Sequence, residues 1–119
     1  MKKVLQFTVP GPLMAYRRPR DSNAKKAYKK YTQFKNLVLG LAMEQGWKGR
    51  AEALMECPVR LSVHVRWRKK PHSDFSNVFK AVEDGLFSQD RYVKPGQKSD
   101  FEWNAGVEEA IVTIEYESE

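Results

Sequence analysis

Residues 58–70 carry the pattern that restricts the fold most: Val59, Leu61, Val63, Val65 and Trp67 alternate with Arg60, Ser62, His64, Arg66 and Arg68. A period of two places successive side chains on opposite faces of an extended chain. The stretch therefore reads as a strand with one apolar face and one basic face. Such a strand needs sheet partners and a second layer over its apolar side. The basic face ends in Arg68-Lys69-Lys70-Pro71-His72.

Directly after it, the period changes. Taken as helical from about Asp74, Phe75, Val78, Phe79, Val82 and Leu86 fall on one side, which is the side expected to be buried. Asn77, Lys80 and Asp84 then lie within about 60° of one another on the opposite side. Asp74 stands at the first turn and Asp90 just past the last. A stripe of amide, ammonium and carboxylate between two further carboxylates suits divalent-metal phosphodiester chemistry. Mg²⁺ takes oxygen ligands, few of them from the protein, and leaves room for phosphate and water. The same residues also suit a solvated helix face capped by Ser73 or Asp74.

The remaining elements follow from similar patterns. Leu5, Phe7 and Val9 share one face of a strand over Lys2 to Val9, stopped by Pro10-Gly11-Pro12. Tyr16 to Tyr31 shows no apolar period but carries Arg17, Arg18, Arg20, Lys25, Lys26, Lys29 and Lys30, with Tyr16, Tyr28 and Tyr31 among them. It reads as a basic loop, a candidate arm for tracking phosphates and stacking on bases, or else a plain solvated loop. Phe34, Leu37, Val38, Leu41 and Ala42 predict a helix over Thr32 to Trp47, ended near Gly46. Lys48 to Glu56 reads as a connection with helical character around Ala51 to Met55, and Lys94 to Lys98 as a turn. Phe101 and Trp103 mark a short strand, Asn104-Ala105-Gly106 a turn, and Glu109 to Glu117 a closing strand with Ala110, Val112, Ile114 and Tyr116 facing inward. This order predicts a two-layer α+β domain spanning 1–119, with a small mixed or antiparallel sheet against two main helices.

Charge is unevenly spread. Residues 1–98 hold all 21 Lys and Arg against eight Asp and Glu, so that part is near +13; residues 99–119 hold seven acidic side chains and no basic ones. The basic part predicts attraction to polyanions, with strong salt dependence, and the acidic strand is expected to face away from nucleic acid. One cysteine, Cys57, excludes an internal disulfide framework and a multi-cysteine zinc site. Without a secretory pattern or an apolar run near 20 residues, the expectation is a soluble cytoplasmic protein with no membrane partner. Scattered glycines exclude a P-loop or dinucleotide fingerprint. His64 and His72 lack a shared spacing, and neither is assigned a catalytic role.

The run Asp74-Phe75-Ser76-Asn77-Val78-Phe79-Lys80, followed by Asp84-Gly85-Leu86 and by Gln89-Asp90-Arg91-Tyr92-Val93, resembles the signature of the RusA family of Holliday junction resolvases. In that family an Asp-x-Asp-Asn-x-x-Lys run on a helix is followed by an Asp and then by a short loop with an Asp-Asp pair. Val9-Pro10-Gly11-Pro12 and the Arg17, Arg18, Pro19, Arg20 cluster are similar to its phage branch. Ser76 stands where the family has a second Asp, and Gln89 where the Asp pair begins.

The resemblance implies a homodimeric endodeoxyribonuclease, host- or phage-encoded, that acts on four-way junctions or other branched DNA with Mg²⁺, for which Mn²⁺ can substitute. It implies Asp74 and Asp90, with Asp84 as a further participant, as metal-site carboxylates, Lys80 as the residue balancing charge in the transition state, and Asn77 as an orienting amide. Arg68, Lys69 and Lys70, with Arg17, Arg18, Arg20, Lys25, Lys26, Lys29 and Lys30, are the expected DNA contacts. Ser76 and Gln89 keep open a second reading, a junction-binding protein with weakened or lost cleavage. A basic packaging factor is a third.

Overall fold

The computed structural model describes residues 2–15, 24–47, 51–52, 59–89 and 93–117, leaving aside the side chains of 24–28, 51, 52 and 89. The order of elements is β1 (Lys2–Pro10), α1 (Ala24–Glu44), β2 (Ala51–Glu52), β3 (Val59–Arg66), α2 (Phe75–Leu86), β4 (Phe87–Gln89), β5 (Val93–Pro95), β6 (Asp100–Glu102) and β7 (Glu109–Glu117). The chain has an α+β fold: among the described residues, a five-stranded mixed sheet with two helices.

The last strand lies inside the sheet. β7 pairs antiparallel with β1 along one side and with β3 along the other, so that Val112 sits between Phe7 and Val63. Alternation places Phe7, Val9, Leu61, Val63, Val65, Ala110, Val112 and Ile114 on one face, and all are buried. The far edge of β3 is shared by two short parallel strands, β5 beside Val59–Leu61 and β6 beside His64–Arg66. Where they break, the Gly96 amide donates to Leu61 O at 2.8 Å, and the Val63 amide donates to the Ser99 hydroxyl at 3.1 Å. A side-chain oxygen thus replaces the missing strand acceptor, as a buried backbone donor requires.

α1 begins at Ala24, eight residues before the expected start, so Lys25, Lys26, Lys29 and Lys30 stand on a helix and not on a loop. Ala, Lys and Gln are strong helix formers. The buried series Tyr31, Phe34, Val38, Ala42 begins inside the stretch that reads as aperiodic. The expected end near Gly46 is observed, with Gly46 at φ 103°, its amide donating to Met43 O and the Trp47 amide to Ala42 O, both at 3.0 Å. This is a Schellman closure, in which the left-handed position favours glycine.

α2 buries Val78, Ala81, Val82, Gly85 and Leu86, while Phe75 and Phe79, expected on the buried side, are half-buried. The stripe is rotated because α2 packs on α1 as well as on the sheet. A Cβ at Gly85 would lie 3.0 Å from Lys35 O and 3.4 Å from the Val38 Cβ, so the small residues Ala81 and Gly85 are part of the helix contact. The Trp47 indole closes the far end, donating to Leu86 O at 3.2 Å and packing edge-on against Phe87 and Tyr116.

Two further expectations are corrected. Ala51–Glu52 is not helical but pairs parallel with β4, and Val93–Pro95 is a strand, leaving the turn to the residues after it. Among the described residues no helix is long and apolar enough to cross a membrane.

Candidate active site

Asp74 is the residue before α2, with extended backbone angles (φ −69°, ψ 142°). Its carbonyl accepts from the amides of Asn77 and Val78 at 3.1 and 3.2 Å, which starts the helix. Its carboxylate makes no capping hydrogen bond and is exposed. Capping by the Asp74 side chain, the ordinary structural role open to it, is therefore not observed. The α2 N-terminus carries a carboxylate directed to solvent, beside the exposed Ser76 and Asn77.

Asp84 is in a different setting. Its Oδ2 accepts a 2.9 Å hydrogen bond from the Tyr31 hydroxyl on α1, and its Oδ1 lies 3.4 Å from Lys80 Nζ. Ten residues of helix at ~1.5 Å each put Asp84 about 15 Å along the axis from Asp74. Two aspartate side chains cannot span that gap to meet on one ion with Mg²⁺–O distances near 2.1 Å. Of the expected residues, Lys80 and Asp84 are brought together and Asp74 stands apart from them. Asp90 lies outside the described residues. Among the described residues no three His, Cys, Asp or Glu side chains converge. Asp74 alone supplies one hard, solvent-open oxygen donor, which fits Mg²⁺ in type because that ion keeps much of its water and takes only one or two carboxylates.

Basic residues flank α2. Arg68, Lys69 and Lys70 are exposed in the loop leading to Asp74. That loop is fixed by backbone bonds from the segment after β6: Asn104 N to Lys69 O, Ala105 N to Trp67 O and Gly106 N to Arg68 O. A pocket of about 440 Å³ is lined there by Gly11, Pro12, Arg68, Lys69, Lys70, His72 and Glu108. Glu108 organises it, accepting from Leu13 N at 2.9 Å and meeting His72 Nε2 at 2.7 Å. Lys29 and Lys30 are exposed on α1, next to Tyr31 and hence towards the Asp84 end of α2. Arg17, Arg18 and Arg20, and the side chains of Lys25 and Lys26, lie outside the described residues.

The basic face of β3 is not free as its sequence implies. Arg60 stands opposite Glu115 and Arg66 opposite Glu109 in register. Arg66 Nε meets Glu102 Oε1 at 2.6 Å, and Lys2 meets Glu115 at 3.0 Å. The Arg66 hydrogen bond holds the Glu102 carboxyl below its ordinary range, and the Lys2 hydrogen bond does the same for Glu115. The acidic C-terminal stretch, expected to face away from nucleic acid, neutralises the basic outer face of the sheet. The cause is topological, since β7 lies beside β3 and β6 along its edge.

Glu108 and Phe101 are site residues that pattern reading did not identify, and Tyr31, read there as a base-stacking ring of the basic arm, is instead buried against Asp84. Tyr31 joins Asp84 across 53 positions and Glu108 joins His72 across 36. Phe101 lines a pocket with Asp74. No local spacing signals such contacts. No family model matches the chain, and no curated protein matches it.

Proposed function

We propose that the chain is a single-domain, Mg²⁺-dependent, structure-selective endodeoxyribonuclease, encoded by a bacterial host or a phage, that cuts four-way or other branched DNA as a homodimer in the bacterial cytoplasm. The observation that carries this is Asp74: an exposed carboxylate, unused as a cap, at the end of the exposed Arg68-Lys69-Lys70 loop. Phosphate contacts position a backbone, and a hard carboxylate beside them is what a metal-assisted hydrolase requires. The resemblance of the Asp74–Lys80 run and of Asp90 to the resolvase signature supports the same reading.

Asp74 and Asp90 would hold Mg²⁺, which would supply Lewis acidity and charge neutralisation at a scissile phosphodiester. Arg68, Lys69 and Lys70 hold the backbone leading to the site. Asn77 orients a water or a phosphate oxygen by hydrogen bonding. Asp84, gripped by Tyr31, is a positioning residue that holds the Lys80 ammonium on the exposed side of α2.

A junction-binding protein without cleavage is the second reading. It is favoured by Ser76, exposed and neutral two residues after Asp74. Incubation of an end-labelled four-way junction with Mg²⁺ or Mn²⁺, beside matched linear duplex, separates the two. Paired, metal-dependent nicks confined to the junction establish the nuclease, and selective binding without nicks in either metal establishes the binding module.

A further inference from the structure

Two of the three tryptophans, Trp47 and Trp67, are buried, whereas Trp103 is 55% exposed and Phe101, two residues before it, is 50% exposed. Single exposed apolar side chains are ordinary, but these two are neither single nor loosely held. Phe101 pairs in register with Val65, which puts it on the helix side of the sheet, and β6 is an edge strand. Its ring lies 6.1 Å from that of Phe75, with 34° between the planes. Trp67, Pro71, Ser73, Asp74, Phe75 and Phe101 enclose a pocket of about 150 Å³. Trp103 sits between backbone bonds that tie Glu102 O to Trp67 N and Asn104 N to Lys69 O, both 2.9 Å. Phe101 is therefore placed beside Asp74, and the backbone on either side of Trp103 is tied to the Trp67–Lys69 segment.

The surroundings select the occupant. An apolar protein segment would gain nothing from a rim of exposed cations. A nucleotide strand uses both parts, because every base has a π face to stack and every phosphate meets a cation. Asp100 and Glu102 do not oppose this, since they alternate to the other face of β6, where Arg66 binds Glu102.

We propose that Phe101 and Trp103 form a stacking platform for unpaired bases beside Asp74, so that the site prefers DNA with unstacked bases at a branch point or a single-stranded flank to continuous duplex. This rests on the nuclease reading above and deepens its substrate class. Neither ring extends the core, so the platform can be removed without unfolding the chain.

The test uses the full chain in EDTA at low salt, with a single-stranded oligothymidylate, a four-way junction and a linear duplex as probes. Binding is read by gel shift, and Trp103 by emission and acrylamide quenching, since the other two indoles are buried. The expected results are quenching of emission and protection from acrylamide on adding single strand or junction. Phe101→Ala/Trp103→Ala should bind both roughly ten-fold or more weakly, with duplex affinity changed by less than about two-fold and an unchanged melting temperature. Shifted complexes with unaltered Trp103 emission, or a double variant that binds single strand as wild type does, would overturn the platform and leave the nuclease reading standing. Absence of any shift with all three DNAs would overturn both. Protection of Trp103 in the free protein, with a mass that grows with concentration, would assign the patch to a second copy and overturn the proposal.

Discussion

The Tyr31 hydroxyl on α1 donates a 2.9 Å hydrogen bond to Oδ2 of Asp84 on α2, joining the two helices at the end of α2 remote from Asp74. A hydrogen bond to a charged acceptor contributes about 1.5–3 kcal/mol when removed from water. The Asp84 side chain is 24% exposed, which puts this one near the lower end. Tyr31→Phe is expected to lower unfolding free energy by about 1.5 kcal/mol in urea titration. Combined with Asp84→Asn it should show a coupling of at least about 0.5 kcal/mol in a double-mutant cycle. Additive losses would show that the contact is not energetically real.

Asp74→Asn and Asp74→Ala together separate a chemical role from a capping role. Because the Asp74 carboxylate caps nothing, the Asn variant should stay within about 0.5 kcal/mol of wild type, as surface substitutions do, while junction cleavage disappears and junction binding is kept or strengthened. Asp74→Ala, which cannot cap where Asn still could, tests the structural role: a loss near 1 kcal/mol, the usual cost of removing a helix cap, with cleavage retained would assign Asp74 to structure.

The Glu102 carboxyl is held below its ordinary value of 4.5, chiefly by the Arg66 hydrogen bond. A depressed folded-state pKa contributes stability that is present above the unfolded value and lost as pH falls through the folded one. Wild type should therefore lose melting temperature below about pH 4.5, and Glu102→Gln should lose less over that interval although it starts lower at pH 7. Parallel curves from pH 7 to pH 3 would show that the pair contributes nothing to acid sensitivity.

Gly85 faces the α1 backbone, and a Cβ there would stand 3.0 Å from Lys35 O and 3.3 Å from Lys35 Cα. Backbone cannot move aside as a side chain tip can. Gly85→Ala should destabilise by about 1–3 kcal/mol through overpacking, against a gain of up to ~1 kcal/mol from helix propensity. Thermal unfolding checks the sign. A net gain would mean that the helices separate at little cost.

The strands β1, β3 and β7 and the body of α2 were legible because each carries its own period. Alternation over Val59–Trp67 places every second residue in the core whatever its partner, and the Gly46 stop follows from the left-handed position a helix end favours. The start of α1 was not legible, since Lys-rich turns show no apolar period and only the burial of Tyr31 reveals the inner face. The short strand β6 was legible from Phe101 and its acidic neighbours, whereas β2, β4 and β5 were missed for a related reason: two or three residues hold too few side chains to show a period, and their pairing partners are distant.

Of the site, the residues on α2 and their axial spacing follow from the order of amino acids alone, because a helix converts sequence separation into distance; that is enough to part Asp74 from Asp84. Which charges face solvent depends on contacts between distant segments. Arg66 and Glu102 are 36 positions apart yet 2.6 Å from each other, because β6 adds to the edge of β3. Arg68, Lys69 and Lys70, just beyond that strand, stay exposed. Charge count is a property of composition, whereas charge available to a ligand depends on which strands lie side by side, and that is set by packing between distant segments.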